Sequence, residues 1–490
     1  MSTRPSTNGW VPPVVRVAAV GLAAAGLVVG AGRVGEVSTG TAAPPTAARV
    51  AATQSTSYCT GDPFAGGEDE TPTVDVAGSV TAQAAPAEVL DGLVEPSDEP
   101  GDITVEALTG EPATPEEGTP RSGPTTRTLD ELDEHAVRVQ ATQERAPGLL
   151  AGQSLEAGGK QVRGLAATPC PTATADAWLV AGGGEPGRQE RLVLANPGGN
   201  SVSVQLDLVG TSGDDAERSV VVPAHGRSVV LLDGIGGTQH PQAVHVTVTG
   251  GLVVPTLVDH HRDGLDPAGV EIVPPTAAPA RRLVVPGWAG GSARTLVLAA
   301  PGERDAVVQV RRLGEGPATS IEVVTVPADE MVEVELPADA ALAGWEIESD
   351  EPVVAAAATT VQDDRDREDY AWSVATPPAG TLAGAVLPVD ADSGLRRLVQ
   401  VVAPEDAASA ELFVQREGEV TTESIDLEAR SGTTVQVDGA EAVWLRPTRG
   451  RLHGAVVLAA PSSDPRAETT SIPLLPTRVS VRDVPVTQVR

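Results

Sequence analysis

Short apolar runs that alternate with polar positions fill this chain from about residue 177 onward, and helical periodicity is nearly absent. One such run ends in proline and occurs three times: RLVLANP over 191–197, TLVLAAP over 295–301 and LVQVVAP over 398–404. The copies lie about one hundred residues apart, a period that points to duplicated domains and not to a short solenoid repeat. Each is followed by a comparable series of Val-rich segments separated by Gly, Pro, Asn or Asp. The first series runs from Val202–Val209 to Val270–Val273, the second from Ala306–Leu313 to Tyr370–Ala375, and the third from Ala410–Gln415 to Thr469–Leu474. Strand spacing of this kind predicts β-sandwiches. The terminal proline lacks an N–H and ends ladder pairing, so the chain turns there toward its partner.

The predicted fold is all-β, with tandem immunoglobulin-like β-sandwich repeats in series behind an N-terminal membrane segment. The reading divides the chain into a signal or anchor helix over 1–33, a Pro/Ala/Thr-rich tether over 34–73 and an irregular β domain over 74–176. Three sandwich repeats follow, over 177–280, 281–381 and 382–490. Within the second and third repeats, Trp345 and Trp444 take the place that His245 has in the first, and with so few aromatics they read as core anchors.

The N-terminal segment sets the compartment. Arg4 and Arg16 precede the apolar run from Val17 to Gly32, and Arg33 closes it. The run is roughly sixteen residues, between a signal-peptide core and a full transmembrane span. We read it as a retained single-pass anchor with the remainder extracytoplasmic; a cleaved signal and secretion are the alternative. Cys59 and Cys170 both lie beyond this segment, and two cysteines in an exported chain predict one disulfide.

Charge excludes one class of partner. The formal net charge is −33, and between Asp62 and Glu134 nineteen acidic residues face two arginines. A nucleic-acid partner requires the opposite sign. The acidic stretch reads as a solvated insertion in the first β domain.

Certain residues resemble a known family. CTG at Cys59–Gly61, CP at Cys170–Pro171, the Trp178–Gly184 stretch and the strand ending Asn196-Pro197-Gly198 resemble an actinobacterial family of exported proteins catalogued as domain of unknown function 5719. The resemblance implies export, β-rich repeats and a cysteine pair, and it carries no catalytic residues.

Candidate chemistry is sparse. Asp259, His260, His261 and Asp263 form the densest group of potential metal ligands, placed on a loop after a strand. Adjacent histidines on extended backbone point to opposite faces, which argues against a shared ion. The stretch Asp363, Asp364, Arg365, Asp366, Arg367, Glu368, Asp369 offers carboxylates, but its interleaved arginines and missing glycine fit a charged hairpin tip better than a calcium loop. G-x-S-x-G hydrolase and H-E-x-x-H zinc-protease motifs are missing, and Gly158-Gly159-Lys160 is no phosphate loop. His225, His240 and His453 are isolated. We therefore expect no catalytic, cofactor or metal site. The expected function is a non-enzymatic envelope scaffold contacting other envelope proteins or cell-wall polymers. A carbohydrate-binding array is the alternative, and an envelope hydrolase a more distant one.

Overall fold

The computed structural model describes residues 48–483, apart from 66–75, 96, 110–124, 184–185, 210–215, 233–241, 289–292, 338–341, 364, 366, 389–393 and 461–467. The expected anchor, Val17–Gly32, and His240 lie outside the described residues. Among the described residues no helix is long and apolar enough to cross a membrane. Contacts gather Val50–Val481 into one unit, separate from residues 1–49 and 482–490. Strands β1 (Ala48–Ala51) and β33 (Ser480–Asp483) stand at its borders.

Four sandwiches make up this unit. The second contains β9 (Asp176–Ala181), β10 (Gln189–Asn196), β11 (Val202–Val209), β12 (Ala216–Val222), β13 (Gly226–Leu231), β14 (Gln242–Thr249), β15 (Val254–Asp263) and β16 (Asp266–Val273). Its two antiparallel sheets have the orders β12-β11-β14-β9 and β13-β10-β15-β16. The fourth sandwich repeats both orders with β24 (Ala383–Val386), β25 (Arg396–Ala403), β26 (Ala408–Arg416), β27 (Glu419–Leu427), β28 (Ser431–Gln436), β29 (Ala442–Arg449), β30 (His453–Ala459) and β31 (Thr469–Pro473). A short β32 (Leu475–Pro476) adds to the edge of β24.

In the third sandwich, β17 (Ala280–Pro286), β18 (Ala293–Ala300), β19 (Ala306–Gly314), β20 (Thr319–Val326), β21 (Glu330–Glu335), β22 (Leu342–Gln362) and β23 (Glu368–Val374) give the same topology. There β22 serves as both sixth and seventh strand, and its first half pairs with β17 and β19, its second with β18 and β23. The sequence predicts two strands here, as in the neighbouring repeats. Those repeats break the chain at Gly250 (φ +89°) and Gly450 (φ +75°), whereas the equivalent Ser349-Asp350-Glu351 has no glycine and stays extended as it bends from sheet to sheet.

The region expected as an irregular β domain is a sandwich of the same kind. Its strands are β2 (Gln54–Cys59), β3 (Val76–Gln83), β4 (Ile103–Ala107), β5 (Thr126–Asp130), β6 (Val137–Thr142), β7 (Leu150–Gly158) and β8 (Arg163–Pro169). The sheet orders β4-β6-β2 and β5-β3-β7-β8 match those of the other three, except that among the described residues the fourth strand has no counterpart. Gln54–Cys59, expected within the tether, is thus a strand of this sandwich, and the described residues hold four copies where three are expected.

Topology also departs from the immunoglobulin arrangement. There the first strand joins the sheet of the second; here the first strand pairs with the sixth, as β9 does with β14. The reason is the hairpin of the last two strands. In the second sandwich β15 takes the free edge of β10 and brings β16 with it, so the first strand finds its partner in the opposite sheet.

The sandwiches close on one another instead of extending in a row. Their last strands pack in a cycle: β8 on β16, β16 on β23, β23 on β31 and β31 back on β8. Apolar clusters cross every boundary. Leu155 and Ala166 meet Val258 and Ile272; Leu179 and Val204 join Val297 and Trp372; Val284 and Leu313 meet Val402; Leu165 and Ala167 join Val399 and Val456. At the seam where the ring closes, the Ala52 N–H donates to the Val479 carbonyl at 3.0 Å.

Candidate functional site

Buried ionisable groups mark functional candidates, because burial and neighbouring charge shift the proton affinities on which chemistry depends. Here they collect where the four last strands meet. Asp369, the second residue of β23, is 1% exposed. Its Oδ2 accepts the N–H of Leu165 at 3.1 Å and of Thr469 at 3.0 Å, while Oδ1 accepts the N–H of Val270 at 3.4 Å. A single carboxyl group of the third sandwich thus caps strands of the other three. The sequence predicts a charged hairpin tip over Asp363–Asp369, but β23 begins at Glu368 and carries Asp369 inside the ring.

Beside it, Glu271 of β16 is equally buried. Its carboxyl group accepts the Ile272 N–H at 3.0 Å and the Thr470 hydroxyl at 2.9 Å, and that hydroxyl in turn accepts the Ala167 N–H at 3.1 Å. Burial pushes both carboxyl groups well above the usual carboxylate range, and the negative charge of Asp369 raises Glu271 further. Main-chain N–H donors pull in the opposite direction without overcoming the loss of water.

A second polar cluster joins the second and third sandwiches. Asp259, with a fully buried side chain, takes a bidentate ion pair from Arg188, with Nε at 2.9 Å from Oδ1 and a terminal nitrogen at 2.6 Å from Oδ2. Trp372 donates its indole N–H to Oδ2 at 2.7 Å. The Arg188 guanidinium also lies over the Tyr370 ring, 4.6 Å from its centroid. Burial, and then the charge of Asp259, raise the Tyr370 hydroxyl well above its ordinary value.

The four potential metal ligands of the sequence do not converge. Asp259, His260, His261 and Asp263 sit within β15 and not on a loop after it, because β15 and β16 form a hairpin that continues to Asp263. Asp259 is consumed by Arg188 and Trp372. Buried His260 places Nε2 3.2 Å from the Gln161 carbonyl and meets Phe64 edge-on, while Asp263 on the far side is exposed. Burial lowers the His260 pKa to about 4. Among the described residues no group of His, Cys, Asp and Glu could hold a metal ion. In the other carboxylate stretch, Asp363 accepts the N–H of Arg365 at 2.8 Å and of Arg367 at 2.9 Å, closing its own turn; Asp364 and Asp366 lie outside the described residues.

Cys59 and Cys170 form a disulfide that ties β2, in one sheet of the first sandwich, to the end of β8 in the other. Trp345 and Trp444 are fully buried on the sixth strands of their sandwiches; in the second sandwich His245 stacks on Trp178 at 4.3 Å.

Asp369, Glu271 and Asp259 line none of three clefts that open among the described residues. One, about 530 Å³, lies between the β19–β20 turn and β27, and carries Glu315, Glu423, Asp426 and Glu428. A second, of about 430 Å³, is walled by the first and fourth sandwiches, with Asp130, Glu131, Glu156 and Glu468. The third, about 270 Å³, lies at the ring seam.

In the sequence Asp369 reads only as part of a charged tip and Glu271 is not singled out, although two signals are present. Glycines inside strand patterns mark close approach of another group: Gly164 and Gly269 both stand against Asp369, with Oδ1 within 2.5 and 2.9 Å of where their β-carbons would be. Glu271 interrupts the apolar run Val270–Val273, a position where a carboxyl group needs a buried partner.

No curated protein and no solved structure matches the chain. A family model does, over residues 125–438, which takes in most of the four-sandwich ring; the chain belongs to the Family of unknown function (DUF5719).

Proposed function

We propose that this protein is a non-enzymatic scaffold or interaction protein of the cell envelope, held at the membrane by its N-terminal apolar segment with the ring of sandwiches extracytoplasmic. One observation carries the reading: the buried carboxyl groups at the centre are spent on joining the sandwiches. Asp369 binds main chain from all three neighbours, and Asp259 binds Trp372 across a boundary. Groups held this way position a framework, and neither Asp369 nor Asp259 faces one of the three clefts. The outer edges of the sheets, such as β20 and β27, pair on one side only and offer main-chain donors and acceptors to a partner strand.

The carbohydrate-binding rival calls for aromatic faces in clefts. Trp178, Trp288, Trp345, Trp372 and Trp444 are each at most 6% exposed, and none lines the three clefts. The reading is tested by affinity capture of the ring from detergent-solubilised envelope, run beside binding to insoluble wall polysaccharide. Capture of specific proteins without polysaccharide supports the scaffold. Polysaccharide binding alone supports the rival, and release of soluble sugar overturns both in favour of a hydrolase.

A further inference from the structure

The cleft at the ring seam differs from the other two in charge and in what its wall is made of. Its lining contains no acidic residue and one basic residue, Arg478, in a chain of net charge −33. Ser55, Thr56 and Ser57 of β2 form one wall; Leu150, Leu475 and Pro476 supply apolar surface. Among the described residues β2 pairs with β6 alone, so its other edge is open. Two contacts bound that edge. Tyr58 N–H donates to the Pro171 carbonyl at 3.0 Å, and Ala52 N–H to the Val479 carbonyl at 3.0 Å. Main-chain groups alternate in direction along a strand, so Thr56, two residues from Tyr58, also turns its N–H and C=O away from β6 and toward the cleft. The hydroxyls of Ser55 and Thr477, in the surrounding walls, have no hydrogen-bond partner.

We propose that this cleft binds an extended peptide of about three residues, which pairs with the open edge of β2 and places a carboxylate on Arg478. Main-chain pairing to Thr56 supplies affinity that does not depend on sequence, the leucine and proline surface accepts a small apolar side chain, and Arg478 selects an acidic residue. An acidic residue at the other end, or a basic one on Arg478, meets no complementary charge. The inference deepens the interaction reading and rests on it for the source of the peptide, which would be a segment of a partner protein. Binding of synthetic peptides requires no envelope component, so the two readings fail separately.

The test uses the full chain with pools of acetylated, amidated tripeptides that carry glutamate at the third position and all residues at the first two. Hydrogen exchange read by mass spectrometry follows the Gln54–Tyr58 amides. Glutamate pools slow exchange over this segment, matching lysine pools do not, and Arg478→Glu weakens the effect about tenfold while leaving the melting temperature unchanged, since Arg478 is exposed. Three results overturn the proposal: no pool protects the segment, Arg478→Glu binds glutamate pools as well as the parent does, or sodium acetate alone gives equal protection.

Discussion

A β-carbon added to Gly164 would lie 2.5 Å from Oδ1 of Asp369, a residue two sandwiches further along the chain. The glycine is in the last strand of the first sandwich and the carboxyl group in the last strand of the third, so the identity of one is set by the position of the other. Gly164 also has φ +136°, a conformation that side chains strain to adopt. Gly164→Ala is expected to lower stability by about 2–4 kcal/mol from strain and displacement of the carboxyl group. Gly158→Ala, where nothing lies within 4 Å of the new carbon, is the control and should be nearly neutral. Urea midpoints for the two variants make the comparison; equal midpoints would remove Asp369 from the centre of the ring.

Asp369→Ala leaves the amides of Leu165, Val270 and Thr469 buried without acceptors, at about 1–3 kcal/mol each. Asp369→Asn retains one carbonyl oxygen and should lose less. The pH dependence separates this from a simple packing defect. The folded carboxyl pKa is raised above its unfolded value of 3.8, so its contribution is full below that value and is lost as pH rises through the folded pKa. The stability difference between parent and Asp369→Asn should therefore shrink as pH rises from 4 to 8. A difference that stays constant or grows counts against a protonated Asp369.

His453 gives the opposite slope. Its Nδ1 lies 3.0 Å from the Thr376 carbonyl and 3.1 Å from the Thr376 hydroxyl, which ties the fourth sandwich to the third, and burial lowers its pKa from 6.5 to about 4. The unfolded chain takes up the proton first. Stability from neutral His453 is present above pH 6.5 and is lost as pH falls toward 4, by about 2–3 kcal/mol. His453→Gln should flatten that part of the curve; since His260 also titrates at about 4, a residual slope of similar sign remains.

Much of the architecture was legible because strands announce themselves by alternation and turn residues. The proline-ended strands of β10, β18 and β25 marked three copies. The first copy escaped because β3 stops at Gln83, short of its proline at Pro86, and because an acidic stretch separates its strands. Ring closure was not legible at all. It depends on apolar faces such as Ile272 and Leu165, which read like any core strand, and on pairings between residues as distant as Ala167 and Thr470. Asp369 was misplaced for a related reason: in the run Asp363–Asp369 its six neighbours are all charged, and only the register of β23 carries the last carboxyl group inside the ring.

The disulfide permits a test of how far the first sandwich depends on its neighbours. Cys59 and Cys170 are both buried and 111 residues apart, and closing a loop of that length restricts the unfolded chain by about 4–5 kcal/mol in the chain-entropy treatment, as an upper figure. The bond joins β2 to the far sheet, whereas β3, β7 and β8 are also held by the second and fourth sandwiches. Reduction should therefore loosen one sheet first. Under dithiothreitol, amides of β2, β4 and β6 are expected to exchange faster while those of β16, β23 and β31 keep their protection, and thiol reagents should label both cysteines only after reduction. Uniform loss of protection across all four sandwiches would mean that the ring unfolds as a single unit once the bond is cut, and thiol labelling without reductant would mean that the bond does not form.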